Sequence, residues 1–206
     1  MKKRTTMLAL LLATGAGTCL QAQEKLTQFK VRDAITVRTP IMNDSINPKG
    51  EKYADKDLLK TPVVLDLADA PFQVLSTDTA GVLSFPKAEK DHSIYLLETS
   101  LRAERFMTGK LKVTSPARWE IFINGESKMS KENAEDSISG ASTREVNLRL
   151  EPEADYEITI KLLSGSKDKA VPTLKCELIK DDKFKDITCF VSPEQKKRFA
   201  LPNTVY

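Results

Sequence analysis

The residues able to do chemistry are few. His92 is the single histidine, so any Ser-His-Asp or Cys-His site would have to be built on it. It stands in Glu89-Lys90-Asp91-His92-Ser93, a polar stretch ahead of a strand, which reads as surface. Neither a G-x-S-x-G nucleophile elbow nor a G-x-x-x-x-G-K-[ST] phosphate loop occurs. Zinc would need more than one histidine and two cysteines far from it. The run Glu132 to Asp136, ENAED, offers carboxylates to calcium but lacks the EF-hand spacing, and reads as a charged, solvated loop. Carboxylate pairs are too common in a chain that is 30% charged to nominate a glycosidase. The sequence therefore nominates no catalytic residue, no cofactor site and no metal ligand.

Two aromatic residues carry more information. Trp119 could stack on a sugar ring, but it alternates in phase with Ile121 and Ile123, which predicts core packing. Phe122 falls on the opposite face. It marks either a second buried face between two sheets or a surface that docks a partner.

Both lie in the stretch around which the chain is organised, Phe106 to Gly125. Leu111 and Val113 alternate with Lys110 and Lys112. After Ser115-Pro116, the run Trp119, Ile121, Ile123 alternates again. Asn124-Gly125 predicts a type I′ hairpin turn, because both central residues need positive φ. Val146, Leu148 and Leu150, then Tyr156, Ile158, Ile160 and Leu162, repeat the period of two. Alternation of this kind predicts antiparallel sheets with one wet face. Short strands between polar turns predict an all-β fold, an antiparallel β-sandwich of jelly-roll type. No stretch is long enough for the crossover helices of a βαβ fold.

The first 22 residues read as a signal peptide, with Lys2-Lys3-Arg4 followed by the apolar run Met7 to Ala13 and a cleavage site after Ala22. Acylation of Cys19 is a rival reading. The apolar run is far short of the roughly 20 residues of a spanning helix, and no other stretch could cross a bilayer. The expected location is exported, periplasmic or secreted. Without Lys2, Lys3 and Arg4 the 32 basic residues become 29, equal to the 29 acidic ones. The balance makes no case for nucleic acid or an anionic membrane as partner.

Residues 23–92 read as an irregular segment with short strands contributing to the sandwich: Val31 to Val37, Val63 to Leu67, Gln73 to Leu75 and Val82-Leu83. Asp55 to Lys60 is expected to make one helical turn capped by Asp55, with Leu58 and Leu59 inward. Residues 93–191 form the sandwich core, within which Lys128 to Ala141 is expected to be a polar loop. Residues 192–206 read as a linker to a following domain.

Cys176 and Cys189 are a possible disulfide. If residues 173–180 and 185–191 form a hairpin over Asp182-Lys183, then Leu174 faces Val191, Cys176 faces Cys189, and Leu178 faces Ile187. A non-hydrogen-bonded pair has Cα atoms about 4.5 Å apart, at the short end of the disulfide range. Small buried thiols fit the same residues.

The order L-x-V, a Ser-Pro break, then W-x-I-F-I-N-G resembles strands of galactose-binding-like jelly rolls, over roughly residues 94–180. A looser resemblance covers the whole chain. The export signal, the irregular start, the sandwich and KKRFALPNTVY are similar to the amino-terminal region of exported bacterial peptidases of the prolyl oligopeptidase family. That resemblance implies a non-catalytic accessory segment of a larger serine peptidase. Its partner would be a downstream propeller and catalytic domain of the same polypeptide. The alternative is a free-standing module that binds glycan, peptide or protein through loops such as Lys128 to Ala141.

Overall fold

The twelve residues His92–Ala103 form β6, the strand on which the larger of two sheets is assembled. The computed structural model describes residues 23–32, 35–37, 50–51, 54–60, 72–89 and 91–193. Expectations for the signal segment and Cys19, the Val63 to Leu67 strand and residues 194–206 fall outside them.

The eight-stranded sheet runs β4 (Phe72–Ser76), β2 (Gln28–Arg32), β6, β11 (Asp155–Gly165), β8 (Arg118–Ile123), β9 (Glu126–Lys131). The short strands β3 (Ile35–Val37) and β13 (Cys189–Ser192) also pair with β6. The five-stranded sheet runs β1 (Gln23–Lys25), β12 (Thr173–Lys180), β7 (Met107–Thr114), β10 (Thr143–Leu150), with β5 (Val82–Ser84) also on β12. Each of these ladders is antiparallel.

The core lies between the sheets. Trp119, Ile121 and Ile123 of β8 face Leu162, Ile160 and Ile158 of β11 in register, and these face Tyr95, Leu97 and Thr99 of β6. Met107, Leu111 and Val113, with Val146, Leu148 and Leu150, close the core from the other sheet. A slip of one residue would turn a whole apolar set outward, so the register is fixed by the pattern. Gly109 sits at an inward position of β7, where a side chain would overlap the carbonyl oxygen of Ile179. Its missing Cβ lets β12 approach.

The middle of the outer face of the eight-stranded sheet is also covered, while Val74 and Phe190 on the same face are exposed. Helix α1 (Asp55–Lys60) sets Leu58 and Leu59 against Ile94, Leu96 and Leu163. Lys161, Glu98 and Thr159 on that face are buried as well. The burial of Lys161 pushes its ammonium pKa down to about 8, partly opposed by Glu120.

At the Asn124-Gly125 turn, φ is 52° and 77°. Asn124 does more than permit the turn: its Oδ1 accepts from Glu157 N at 2.8 Å, and its own N donates to Glu157 O at 2.8 Å. The turn is thereby tied to β11.

Several expectations need correction. Val31 to Val37 is not one strand but the end of β2 and the whole of β3. Asp55 is not the helix cap. Asp57 Oδ2 accepts from Ala54 N at 2.8 Å, which puts Ala54 at the capping position and leaves the Asp55 carboxylate for other partners. Lys128 to Lys131 are not loop but part of β9, whose Met129 and Lys131 pair with Ile121 and Trp119. Lysine disguises the alternation, because its stem is buried while its ammonium finds polar partners.

The hairpin joining Cys176 to Cys189 does not form. β12 stays in the five-stranded sheet, with Cys176 opposite Val113, while β13 crosses to β6, with Cys189 opposite Ala103. Both thiols are free and buried. The 3-10 turn Asp182–Phe184 carries the chain across, with Phe184 N donating to Asp181 O and Ile187 N to Phe184 O. Lys180 Nζ donates to Ile187 O at 2.7 Å and fixes the crossing. Burial pushes both thiols up from their ordinary value. Cys189 Sγ packs 3.3 Å from Met107 Sδ.

Candidate functional site

His92 opens β6 and is half-buried rather than on the surface. Its Nε2 lies 3.1 Å from Asp55 Oδ1, and its Nδ1 is buried without a hydrogen-bond partner. Arg118 at the start of β8 binds the other oxygen of Asp55 and also both oxygens of Asp168, at 3.0 and 2.8 Å. Asp168 Oδ2 in turn accepts from Gly165 N at 2.7 Å. This cluster is a clamp. It fastens α1 and the turn after β11 to one guanidinium, whose planar fork can hold two carboxylates. The partner of the His92 imidazole is thus a carboxylate that also binds Arg118.

The acids of Glu132 to Asp136 are each paired with a lysine from elsewhere: Glu132 with Lys60 at 3.0 Å, Glu135 with Lys131 at 2.8 Å, Asp136 with Lys169 at 2.6 Å. Lys131 Nζ also donates to Ser115 O at 2.6 Å, and Ser142 N donates to Glu135 at 2.8 Å. The loop is thus held down by its own charges. Trp119 is fully buried between the sheets, with Nε1 unpartnered. Phe122 is buried too, on the outer face of the eight-stranded sheet and not between the sheets. Neither aromatic ring is available to a ligand.

The open surface lies elsewhere, on the outer face of the five-stranded sheet. Because β7 and β10 pair in register with β12 beside them, their outward side chains form rows. Thr114 stands beside Thr143 and Lys175; Lys112 beside Glu145 and Glu177; Lys110 beside Asn147 and Ile179; Thr108 beside Arg149. Lys110 Nζ is 2.8 Å from Glu145 Oε2, and this hydrogen bond raises the lysine and lowers the carboxyl from their ordinary values. Thr114 and Thr143 share a hydroxyl hydrogen bond at 2.8 Å. Thr108 bonds Asp181, and Lys175 pairs with Glu177.

At one end this polar face meets two half-buried rings. Phe106 and Phe184 pack edge to face, with centroids 5.8 Å apart. The Arg149 guanidinium sits 5.2 Å over the Phe106 ring and bonds Glu151 at 3.0 Å. The arrangement offers hydroxyl, amide, ammonium and carboxylate groups along neighbouring strands, ending in an aromatic edge. No motif in the sequence brings Phe106, Phe184 and Arg149 together. The available signal was the polar alternation Thr108, Lys110, Lys112, Thr114, but alternation does not say which wet face stays open.

No family model and no curated protein matches the chain. Among solved structures, the PA14 sugar-binding domain of an RTX adhesin aligns at TM-score 0.44 and 10% identity, over 81% of this chain and 96% of that one. The PA14 domain of the MpAFP antifreeze protein aligns at TM-score 0.37 and 9% identity, over 98% and 94%. A β-glucosidase from Kluyveromyces marxianus aligns at TM-score 0.42 and 15% identity, and the chain spans 15% of its length. At these TM-scores the likenesses carry no argument. The antiparallel β-sandwich stands on the pairing of the strands themselves, and among the described residues no helix is long and apolar enough to cross a membrane.

Proposed function

We propose that this chain is a non-catalytic β-sandwich module that binds glycan on the outer face of its five-stranded sheet. One observation carries the reading: on the outer face of the five-stranded sheet, Lys110, Thr143, Glu145, Asn147 and Arg149 are exposed on two neighbouring strands, beside the Phe106–Phe184 pair. A sugar chain presents hydroxyls along its length and an apolar ring face at intervals. The strip from Thr114 to Thr108 matches the first, and the ring pair matches the second.

The test is titration of the isotope-labelled protein with neutral and acidic oligosaccharides, read by amide chemical shifts. Binding should move the signals of β7 and β10 and spare those of residues 132–142. Phe184→Ala should weaken it about three- to tenfold, the value of one aromatic contact. If no oligosaccharide moves the signals of this face, the reading is overturned.

Export, and a place beside a serine peptidase domain in a longer chain, are a second proposal. It is supported by the positive and apolar run of residues 2–13 and by the resemblance to prolyl oligopeptidase family peptidases. A G-x-S-x-G motif encoded beyond Tyr206 and intact mass lacking residues 1–22 would support it. A stop codon there, or retention of Met1, would sink it.

A further inference from the structure

The five-stranded sheet ends in β10, eight residues long, and among the described residues no strand pairs with its outer edge. An edge of that length presents a row of backbone donors and acceptors ready to accept another strand. The outward side chains Thr143, Glu145, Asn147 and Arg149 are exposed along it, while Val146, Leu148 and Leu150 stay in the core. We infer that β10 pairs antiparallel with β10 of a second copy, about a two-fold axis through Asn147.

The charges select this partner and this register. In a symmetric antiparallel pair the two facing residues must share a sheet face, so the axis must pass through a residue rather than between two. With the axis at Asn147, Glu145 faces Arg149 of the other copy and Arg149 faces its Glu145, which makes two opposite-charge cross-strand pairs. An axis at Glu145 sets glutamate against glutamate, and one at Leu148 sets Glu145 against Glu151. An axis at Arg149 sets arginine against arginine, and one at Val146 makes no charge pair. Of the axes through residues 143–149, only the one at Asn147 sets opposite charges against each other; an axis at Leu150 would pair Arg149 with Glu151 but overlap only the ends of the strands. The Asn147 register joins the two five-stranded sheets into one, so the open polar faces of both copies lie side by side.

Sedimentation equilibrium of the full chain tests this without any ligand. The parent should be a reversible dimer that weakens as salt rises, because the pairs are exposed. Glu145→Arg and Arg149→Glu should each raise the dimer dissociation constant at least tenfold. The combination Glu145→Arg with Arg149→Glu should restore it. Far-UV circular dichroism unchanged in all three variants confirms that the fold is intact, as expected for side chains 43% and 73% exposed. A parent that is monomeric up to millimolar concentration overturns the inference. So does a dimer indifferent to both single reversals, or a double reversal that stays monomeric.

Discussion

Replacing Gly109 by alanine adds one methyl group where the backbones of β7 and β12 come close. The new Cβ would overlap the Ile179 carbonyl oxygen and stand 3.3 Å from both the Ile179 carbonyl carbon and the Lys180 Cα. All three obstructing atoms are backbone, so no rotamer change relieves the clash. The strands would have to part by about 1 Å to reach ordinary contact distance. That places the change among overpacking substitutions, which cost about 1–3 kcal/mol. It also stretches a ladder hydrogen bond worth about 1 kcal/mol. Against this, alanine loses less backbone entropy on folding than glycine, returning about 0.5–1 kcal/mol. The net expectation is a loss of about 2 kcal/mol. With a urea slope of about 2 kcal/mol/M, the unfolding midpoint should fall by about 1 M at unchanged slope. Gly140→Ala is the control. Its nearest neighbour is the Ser137 hydroxyl at 3.2 Å, which can rotate away at the cost of one exposed hydrogen bond from Gly140 N, so stability should hold to within about 0.5 kcal/mol. Equal midpoints for Gly109→Ala and the parent would refute the close approach of β12.

Gly125→Val should cost about 1–3 kcal/mol in thermal or urea unfolding, because a β-branched residue resists the positive φ held there. Arg118→Leu strands the Asp55 and Asp168 carboxylates and should cost on the order of 3 kcal/mol; Asp55→Asn, which leaves Asp168 paired, should cost less in the same urea titration. Lys161 gives a pH signature. Its folded pKa of about 8 lies below the ordinary 10.5, so below pH 8 the buried charge costs stability in full. Between those values the unfolded chain holds the extra proton, and stability should rise by at most about 3 kcal/mol, then level off. Urea midpoints measured across that range should show the rise, and Lys161→Met should flatten it.

The alternation of Trp119, Ile121 and Ile123, and of Tyr156 through Leu162, was enough to specify antiparallel strands and the face each turns inward. That information is local: a period of two, and a turn pair whose φ values only Asn and Gly adopt cheaply. The sequence could not say to which sheet a strand belongs. Cys176 and Cys189 are the clearest case. Both point into the core, and a hairpin would satisfy their apolar pattern as well as the crossing does, because two sheets share one core. What decides is the 3-10 turn at Asp182–Phe184 and the Lys180 ammonium bound to Ile187 O, neither visible in periodicity. The outer faces pose the same problem. Lys110 and Lys161 each sit at polar, outward positions of their strands, yet one is exposed and the other buried. The difference is made by what packs over each sheet, a property of contacts between distant residues that no window along the chain contains.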